Sequence, residues 1–176
     1  HGVAAVNMAQ VAQAANVGKG TLYRRFTNKA ELCLALMDSQ MTEFQNVMLD
    51  RMRHMTHEGV TPLSQLKHFL DALVYFTDAH IPLLCEVQRE GLLDNVESDI
   101  QRPHFWLYLT VNGLLRQATE SGELSSELDI EYLSDALLTP LRADIFRFQR
   151  ERRGFSRERI STGLQTIVAS LSRFES

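Results

Sequence analysis

The feature that most constrains the fold is a short apolar stripe at helical spacing that ends in a turn. Its residues are Met8, Val11, Ala12 and Ala15. These positions share one face of a helix. Asn7 precedes the stripe and Gln10 stands three residues later, which is the spacing of a capping box. The run Asn16-Val17-Gly18 should end this helix, because Asn and Gly tolerate the left-handed backbone of a sharp turn.

A second short helix is predicted from about residue 19 to residue 26. Leu22 and Phe26 lie one turn apart and should face inward. The opposite face carries Lys19, Thr21, Tyr23, Arg24 and Arg25. A short helix that presents three cations, a hydroxyl and a phenol suits the groove of a DNA duplex. The two helices together therefore predict a helix-turn-helix.

The distribution of charge supports this prediction. The chain has 18 Lys and Arg against 22 Asp and Glu, for a net charge of −4. Residues 1–30 contain four of the basic residues and no acidic residue, which leaves 14 basic and 22 acidic residues in the rest. Such a charge cluster is also typical of a solvated surface. Its coincidence with the helix-turn-helix pattern favours attraction to phosphate.

Residues 15–26, ANVGKGTLYRRF, followed by NKAEL at 28–32, resemble the DNA-binding motif of the tetracycline-repressor (TetR) family. The motif covers about the first fifth of the chain. Asn16 stands where that family usually has Gly. Gly18 stands where Ser or Thr usually caps the recognition helix, so we expect a weaker cap. The family also has a helix before this motif, and we expect that helix to be absent from the sequence.

The motif assigns candidate DNA contacts. By position, Lys19 and Thr21 suit base edges or nearby phosphates, and Gly20 lets the helix approach the duplex closely. The resemblance implies phosphate contacts for Tyr23, Arg25 and Lys29. Arg24 suits either bases or backbone, since Arg is the commonest reader of guanine. The full predicted set is Asn7, Lys19, Gly20, Thr21, Tyr23, Arg24, Arg25 and Lys29.

The rest of the chain predicts an all-α fold without strand alternation. Further helices are expected at about 28–55, 61–80, 83–93, 103–121, 129–153 and 156–171. Pro82 should break one helical pattern, and Pro140 should bend another or open its hydrogen-bond ladder. We expect residues 1–45 to form the DNA-binding helix-turn-helix and the start of a connecting helix. Residues 46–176 should form a helical bundle for effector binding and dimerisation.

A homodimer is expected through the last two helices. The final helix carries a face of small residues, Gly163, Thr166, Ala169 and Ser170. Small residues let another helix approach closely, and the resemblance implies that these helices pair with those of a second copy. One short recognition helix reads few base pairs. Two copies ~34–36 Å apart, or a multiple of that distance, would read a palindrome.

The body is expected to bind a small, largely apolar effector. The candidate lining residues are Phe69, Phe76, Phe105, Trp106, Leu109, Asn112, Leu137 and Thr139. Asn112 or Asp144 would serve as a polar anchor in such a pocket. For any one of these residues, the simpler interpretation is ordinary core packing. The resemblance implies that effector binding changes the separation of the two DNA-reading units and releases the operator.

The sequence does not favour an enzyme, a cofactor or a metal site. His54 and His57 share a helical face without an acidic or Cys partner at metal-ligand spacing. Cys33 and Cys85 lack a CxxC pattern, and we expect both to be buried and reduced in the cytoplasm. No apolar run is long enough to span a membrane. The predicted function is a ligand-responsive transcriptional repressor. The alternative is a helical ligand-binding or scaffold protein whose helix-turn-helix no longer binds DNA.

Overall fold

The computed structural model describes residues 3–89 and 103–172. Within these ranges the chain forms α-helices, short 3₁₀ and π turns and connecting loops, and it has no strand. The α-helices are α1 (Met8–Ala14), α2 (Lys19–Arg25), α3 (Lys29–His57), α4 (Pro62–Arg89), α5 (Pro103–Glu120), α6 (Ile130–Leu138), α7 (Ala143–Arg147) and α8 (Arg157–Leu171). The all-α prediction is confirmed.

The helix-turn-helix begins with the predicted capping box. Asn7 Oδ1 accepts from the Gln10 backbone N–H at 3.0 Å, and Gln10 Oε1 accepts from the Asn7 N–H at 2.8 Å. Asn16 has the left-handed backbone, with φ of 53°. Gly18 does not, so the left-handed backbone expected there was wrong, whereas the weaker cap expected at Gly18 is confirmed. It is the extended residue before α2, at φ −63° and ψ 139°, and it has no side chain to cap that helix.

Helix α3 connects the helix-turn-helix to the body of the protein. It begins after Asn28, whose side chain accepts from the Glu31 N–H at 2.8 Å. Leu32 packs against the small cluster formed by the helix-turn-helix. From Met37 to Met52, the inward face of α3 belongs to the main core or packs against it. Helix α3, with 29 residues, therefore packs against both the helix-turn-helix cluster and the main core.

Helix α4 is central and continues through Pro82, so the predicted break was wrong. Pro82 is exposed, and the helix is buried on both sides of it, at Phe76 and Thr77 before it and at Glu86 and Val87 after it. This packing stabilises a helix that Pro alone would weaken by roughly 3 kcal/mol. The predicted shorter helix at 83–93 is thus the end of α4 as far as Arg89, and residues 90–93 lie outside the described ranges.

Pro140 interrupts the next helical pattern, as expected. Helix α6 ends before a 3₁₀ turn at Thr139–Leu141, and α7 begins after the extended residue Arg142. A π turn at Phe148–Arg152 follows α7. The Gln149 side-chain amide donates to the Pro140 carbonyl at 3.0 Å, which holds the broken segment together. Ser156 caps α8 through the Arg159 N–H at 3.1 Å.

The main core lies around α4, which packs against α3, α5, α7 and α8. Its most deeply buried large side chains are Phe69, Phe146, Leu66, Leu70, Leu73, Leu115 and Leu124. A second and much smaller cluster lies in the helix-turn-helix. Cys33 is buried as expected, whereas Cys85 is only partly buried. No helix within the described ranges combines the length and the apolar character needed to cross a bilayer.

Candidate nucleic-acid interface

Helix α2 is anchored through one buried residue. Leu22 is 9% exposed and clusters with Met8 and Ala12 of α1. Val11, Phe26 and Leu32 cover the edges of this cluster. Because Leu22 is the inward-facing position, the residues on either side of it point outward. The predicted contacts on α2 are all exposed, namely Lys19, Gly20, Thr21, Tyr23, Arg24 and Arg25.

The polar groups of α2 make few contacts with the rest of the protein. Arg24 Nη2 donates to Thr21 Oγ1 at 3.3 Å, and the Arg25 guanidinium lies 5.6 Å from the centre of the Phe26 ring. A Cβ atom added at Gly20 would meet nothing within 4 Å. Packing within the chain therefore does not require glycine there. The outer face of α2 has the chemistry of a phosphate- and base-contacting helix.

Asn7 and Lys29 differ from the residues on α2. The Asn7 side chain is exposed, but its oxygen is occupied by the capping bond. The Lys29 ammonium lies 3.3 Å from Glu86 of α4, and its side chain is only 19% exposed. This ion pair was not predicted, because Glu86 is distant from Lys29 in sequence and only the fold brings the two residues close. The Lys29 ammonium therefore faces a carboxylate in this structure.

The aromatic residues predicted to line an effector pocket are partly brought together. Phe69 and Trp106 pack with ring centres 5.6 Å apart, and both contact Phe44. Phe76 lies 4.6 Å from Phe44, measured between ring centres. Phe44, which is not among the predicted pocket residues, adds a fourth ring from the face of α3 that packs against the main core. These four rings form one aromatic cluster at the junction of α3, α4 and α5.

The other predicted pocket residues are dispersed. Leu137 is buried in the main core and Phe105 is partly buried. Leu109 and Thr139 are exposed, and Thr139 Oγ1 donates to the Asp135 carbonyl at 2.7 Å. The exposed residues Leu109 and Thr139 are therefore separate from the aromatic cluster.

The two predicted polar anchors already have partners. Asn112 is buried, donates to Ser134 Oγ at 3.3 Å and accepts from Arg116 Nε at 2.8 Å. Burial raises the pKa of Asp144. Hydrogen bonds from the Ile145 backbone and the Gln88 side chain outweigh this effect and hold that pKa below its usual value. Among the described residues, no group of three or more His, Cys, Asp or Glu side chains is placed to hold a metal ion.

Comparison with known proteins identifies the helix-turn-helix. Residues 1–36 match the family model of bacterial regulatory proteins, tetR family. The HTH-type transcriptional regulator YdeS of Bacillus subtilis strain 168 is 28% identical over 142 residues, which are 80% of this chain and 68% of YdeS. The helix-turn-helix is therefore that of the tetR family of bacterial regulatory proteins. The relatives of this chain are named as transcriptional regulators, which is a non-enzymatic role.

Two solved structures of regulatory proteins share the fold along nearly the whole chain. Regulatory protein TetR from Rhodobacter sphaeroides has a TM-score of 0.64 at 22% identity, covering 97% of this chain and 90% of that one. The ketosteroid transcriptional regulator KstR2 of Mycobacterium tuberculosis has a TM-score of 0.62 at 19% identity, covering 98% and 87%. The fold is therefore the one that these two regulators share, a helix-turn-helix followed by a helical body.

Proposed function

We propose that this tetR-family regulator is a homodimeric repressor that reads a palindromic operator through α2 and is released by a small, largely apolar effector. The observation that carries the proposal is the structure of α2. The buried Leu22 holds α2 against α1, and all the predicted DNA contacts on α2 are exposed. Residues 3–30 contain no carboxylate side chain to repel phosphate.

The roles proposed for individual residues follow from position along α2. Lys19 and Thr21, at the start of the helix, read base edges or nearby phosphates, and Gly20 allows close approach. Tyr23 and Arg25 contact phosphates, while Arg24 reaches either bases or backbone. Asn7, at the start of α1, presents the amino end of that helix to a phosphate. Lys29 lies at the amino end of α3, and its ammonium pairs with Glu86 in this structure.

The proposed dimer would cover apolar side chains that the single chain leaves exposed. Tyr132, Phe148 and Ile167 are 71%, 54% and 49% exposed, and they belong to α6, the π turn and α8. Gly163, Thr166, Ala169 and Ser170 of α8 are also exposed. On α8, Ile167 lies at helical spacing among these small residues, which is suited to close helix packing against a second copy. A C₂ arrangement would place the same surface on both partners.

The proposed effector site uses the aromatic cluster of Phe44, Phe69, Phe76 and Trp106. Rings at these distances offer an apolar wall for a ligand. KstR2 is named a ketosteroid transcriptional regulator, which supports an apolar effector by analogy.

We retain residues 1–45 as the DNA-binding part and 46–176 as the effector and dimer part, with α3 shared between them. A coupling of ~1–3 kcal/mol between the sites would change DNA affinity 5- to 150-fold. The repressor would act in the bacterial cytoplasm, where its operator lies.

Substitution of Arg25 by Ala tests the proposed reading face. The operator is first recovered by selection from random duplex DNA, and its affinity is then measured at several salt concentrations. Arg25→Ala should weaken binding to all sequences and reduce the slope of log K against log salt by about one. Arg53→Ala is the matched control, because Arg53 is an exposed Arg on α3 that pairs with Asp50 outside the helix-turn-helix. Unchanged affinity and slope for Arg25→Ala would contradict the assignment.

A further inference from the structure

Glu86 is a buried carboxylate near the end of α4, and two cations contact it. Its side chain is 7% exposed, and it lies 3.3 Å from the Lys29 ammonium and 2.7 Å from Arg89 Nη2. The buried thiol of Cys33 lies one turn along α3 from Lys29. Burial raises the pKa of Cys33, the Glu86 charge raises it further, and the Lys29 charge lowers it. Lys29, Cys33 and Glu86 therefore form one electrostatically connected group.

The two cations attach Glu86 to different parts of the molecule. Arg89 is one turn away on the same helix, so the Arg89–Glu86 pair is retained wherever α4 goes. Lys29 is the first residue of α3 and follows directly on the helix-turn-helix. The 3₁₀ turn at Val3–Ala5, just before α1, also packs against α4. Helix α4 thus contacts the DNA-reading part on both sides of its two short helices.

The Lys29 ammonium is placed to contact one of two anions, the Glu86 carboxylate or a DNA phosphate. At the amino end of α3, beyond the Asn28 cap, a lysine is placed to add its charge to the partial positive charge of the helix end, which attracts phosphate. In this structure the same ammonium is turned to Glu86. Withdrawing it to a phosphate would leave the buried carboxylate with one fewer cation, and removing a partner from a buried charge is strongly unfavourable.

We propose that Glu86 competes with operator phosphate for Lys29, so that the position of the end of α4 sets the affinity for DNA. The inference rests on the proposed function and adds a regulatory residue that touches no DNA. While Glu86 stays against Lys29, one phosphate contact is withheld. When the body adopts a state in which α4 moves Glu86 away from α3, the Lys29 ammonium can contact an operator phosphate. That state binds the operator more tightly.

A double-mutant cycle on Lys29 and Glu86 tests this competition. Operator affinity is measured against salt for the natural protein, Glu86→Gln, Lys29→Gln and the double variant. Glu86→Gln should bind about 5- to 10-fold more tightly, at the low end of coupling between sites, and its salt slope should steepen by about one. Lys29→Gln should change affinity less than about 2-fold in the natural protein. It should cancel the whole gain when added to Glu86→Gln.

Asp78→Asn is the matched control for net charge. Asp78 lies two turns earlier on α4 and pairs with Arg150 at 2.7 Å, away from Lys29. Its substitution removes the same charge from the same helix and should change operator affinity less than about 2-fold. A gain as large as that of Glu86→Gln would show that overall charge, and not release of Lys29, strengthens binding. That result would overturn the inference.

The remaining outcomes separate this inference from the proposed function. Weaker binding by Glu86→Gln would mean that the ion pair supports the DNA-reading geometry, and unchanged binding would mean that Lys29 is not withheld. Either result overturns the inference alone. If Glu86→Gln fails to fold, Lys29→Gln alone tests the inference. A 10-fold loss of operator affinity, with a salt slope lower by one, would mean that Lys29 already contacts the DNA in the natural protein and would overturn the inference. A natural protein that binds no duplex overturns the proposed function as well.

Discussion

Substitution of Leu22 by Ala should unfold the DNA-reading part and leave the body folded. Leu22 is 9% exposed and, with Met8 and Ala12, forms a cluster that shares no buried residue with the main core. Leu→Ala at buried sites costs ~2–5 kcal/mol. A small cluster close to the surface favours the low end, about 2–3 kcal/mol. Helix α2 has seven residues, and a helix that short depends on its tertiary contacts.

Two probes distinguish the two parts of the molecule. Amide hydrogen exchange in α2 reports opening of the DNA-reading part, and a loss of 2–3 kcal/mol should reduce protection there by roughly 30- to 150-fold. Fluorescence of Trp106, the single tryptophan, reports unfolding of the body. Its midpoint in urea should hardly move in Leu22→Ala, and operator binding should be lost.

Leu115→Ala is the matched control, because Leu115 is fully buried in the main core. It should shift the Trp106 midpoint clearly to lower urea. If Leu22→Ala shifts the Trp106 transition as far as Leu115→Ala does, the two clusters unfold as one unit. The reasoning from separate cores would then be refuted.

Three further predictions concern the cap of α2, the proposed dimer and the buried thiol. Gly18→Ser should stabilise α2 by about 0.5–1 kcal/mol by hydrogen exchange, because Gly18 has an ordinary extended backbone and an added Cβ would lie 3.7 Å from Thr21 Oγ1. Lower protection would show that a side chain is not tolerated there. Ile167→Glu, at an exposed position of α8, should convert the dimer to a monomer in sedimentation with helicity unchanged. A dimer that persists would locate the interface elsewhere. Burial raises the pKa of Cys33, and the Glu86 charge adds to the effect. Alkylation of Cys33 at pH 8 should therefore be slower in the native protein than in urea, and the alkylation rate of the native protein should keep rising at higher pH. Equal rates would contradict that shift.

The helix-turn-helix was predictable from sequence because its determinants are local. Asn7 and Gln10 form their capping box three residues apart, and Leu22 marks the buried face of α2 by its spacing alone. The misassignment of Gly18 was a detail of turn geometry, since the left-handed residue is its neighbour Asn16. Local propensity identifies where a turn occurs better than which residue carries the unusual backbone angle.

The failures of prediction came from contacts distant in sequence. Pro82 is a helix breaker by propensity, yet burial of the residues on both sides carries α4 through it. The pairing of Lys29 with Glu86 joins residues on two helices that no periodic pattern relates. Three of the four rings of the aromatic cluster were predicted. The fourth, Phe44, comes from α3, and its contact with the other three depends on the packing of α3 against α4 and α5.

The most direct test of DNA reading by a dimer is selection from random duplex DNA with the full-length protein, followed by affinity measurements across a range of salt. We predict an enriched palindrome whose half-sites lie about one helical turn apart or a multiple of it, bound more weakly as salt rises. The two-fold symmetry of the recovered site would report the dimer. Protein shown to be folded and dimeric that enriches no sequence would contradict operator reading through α2.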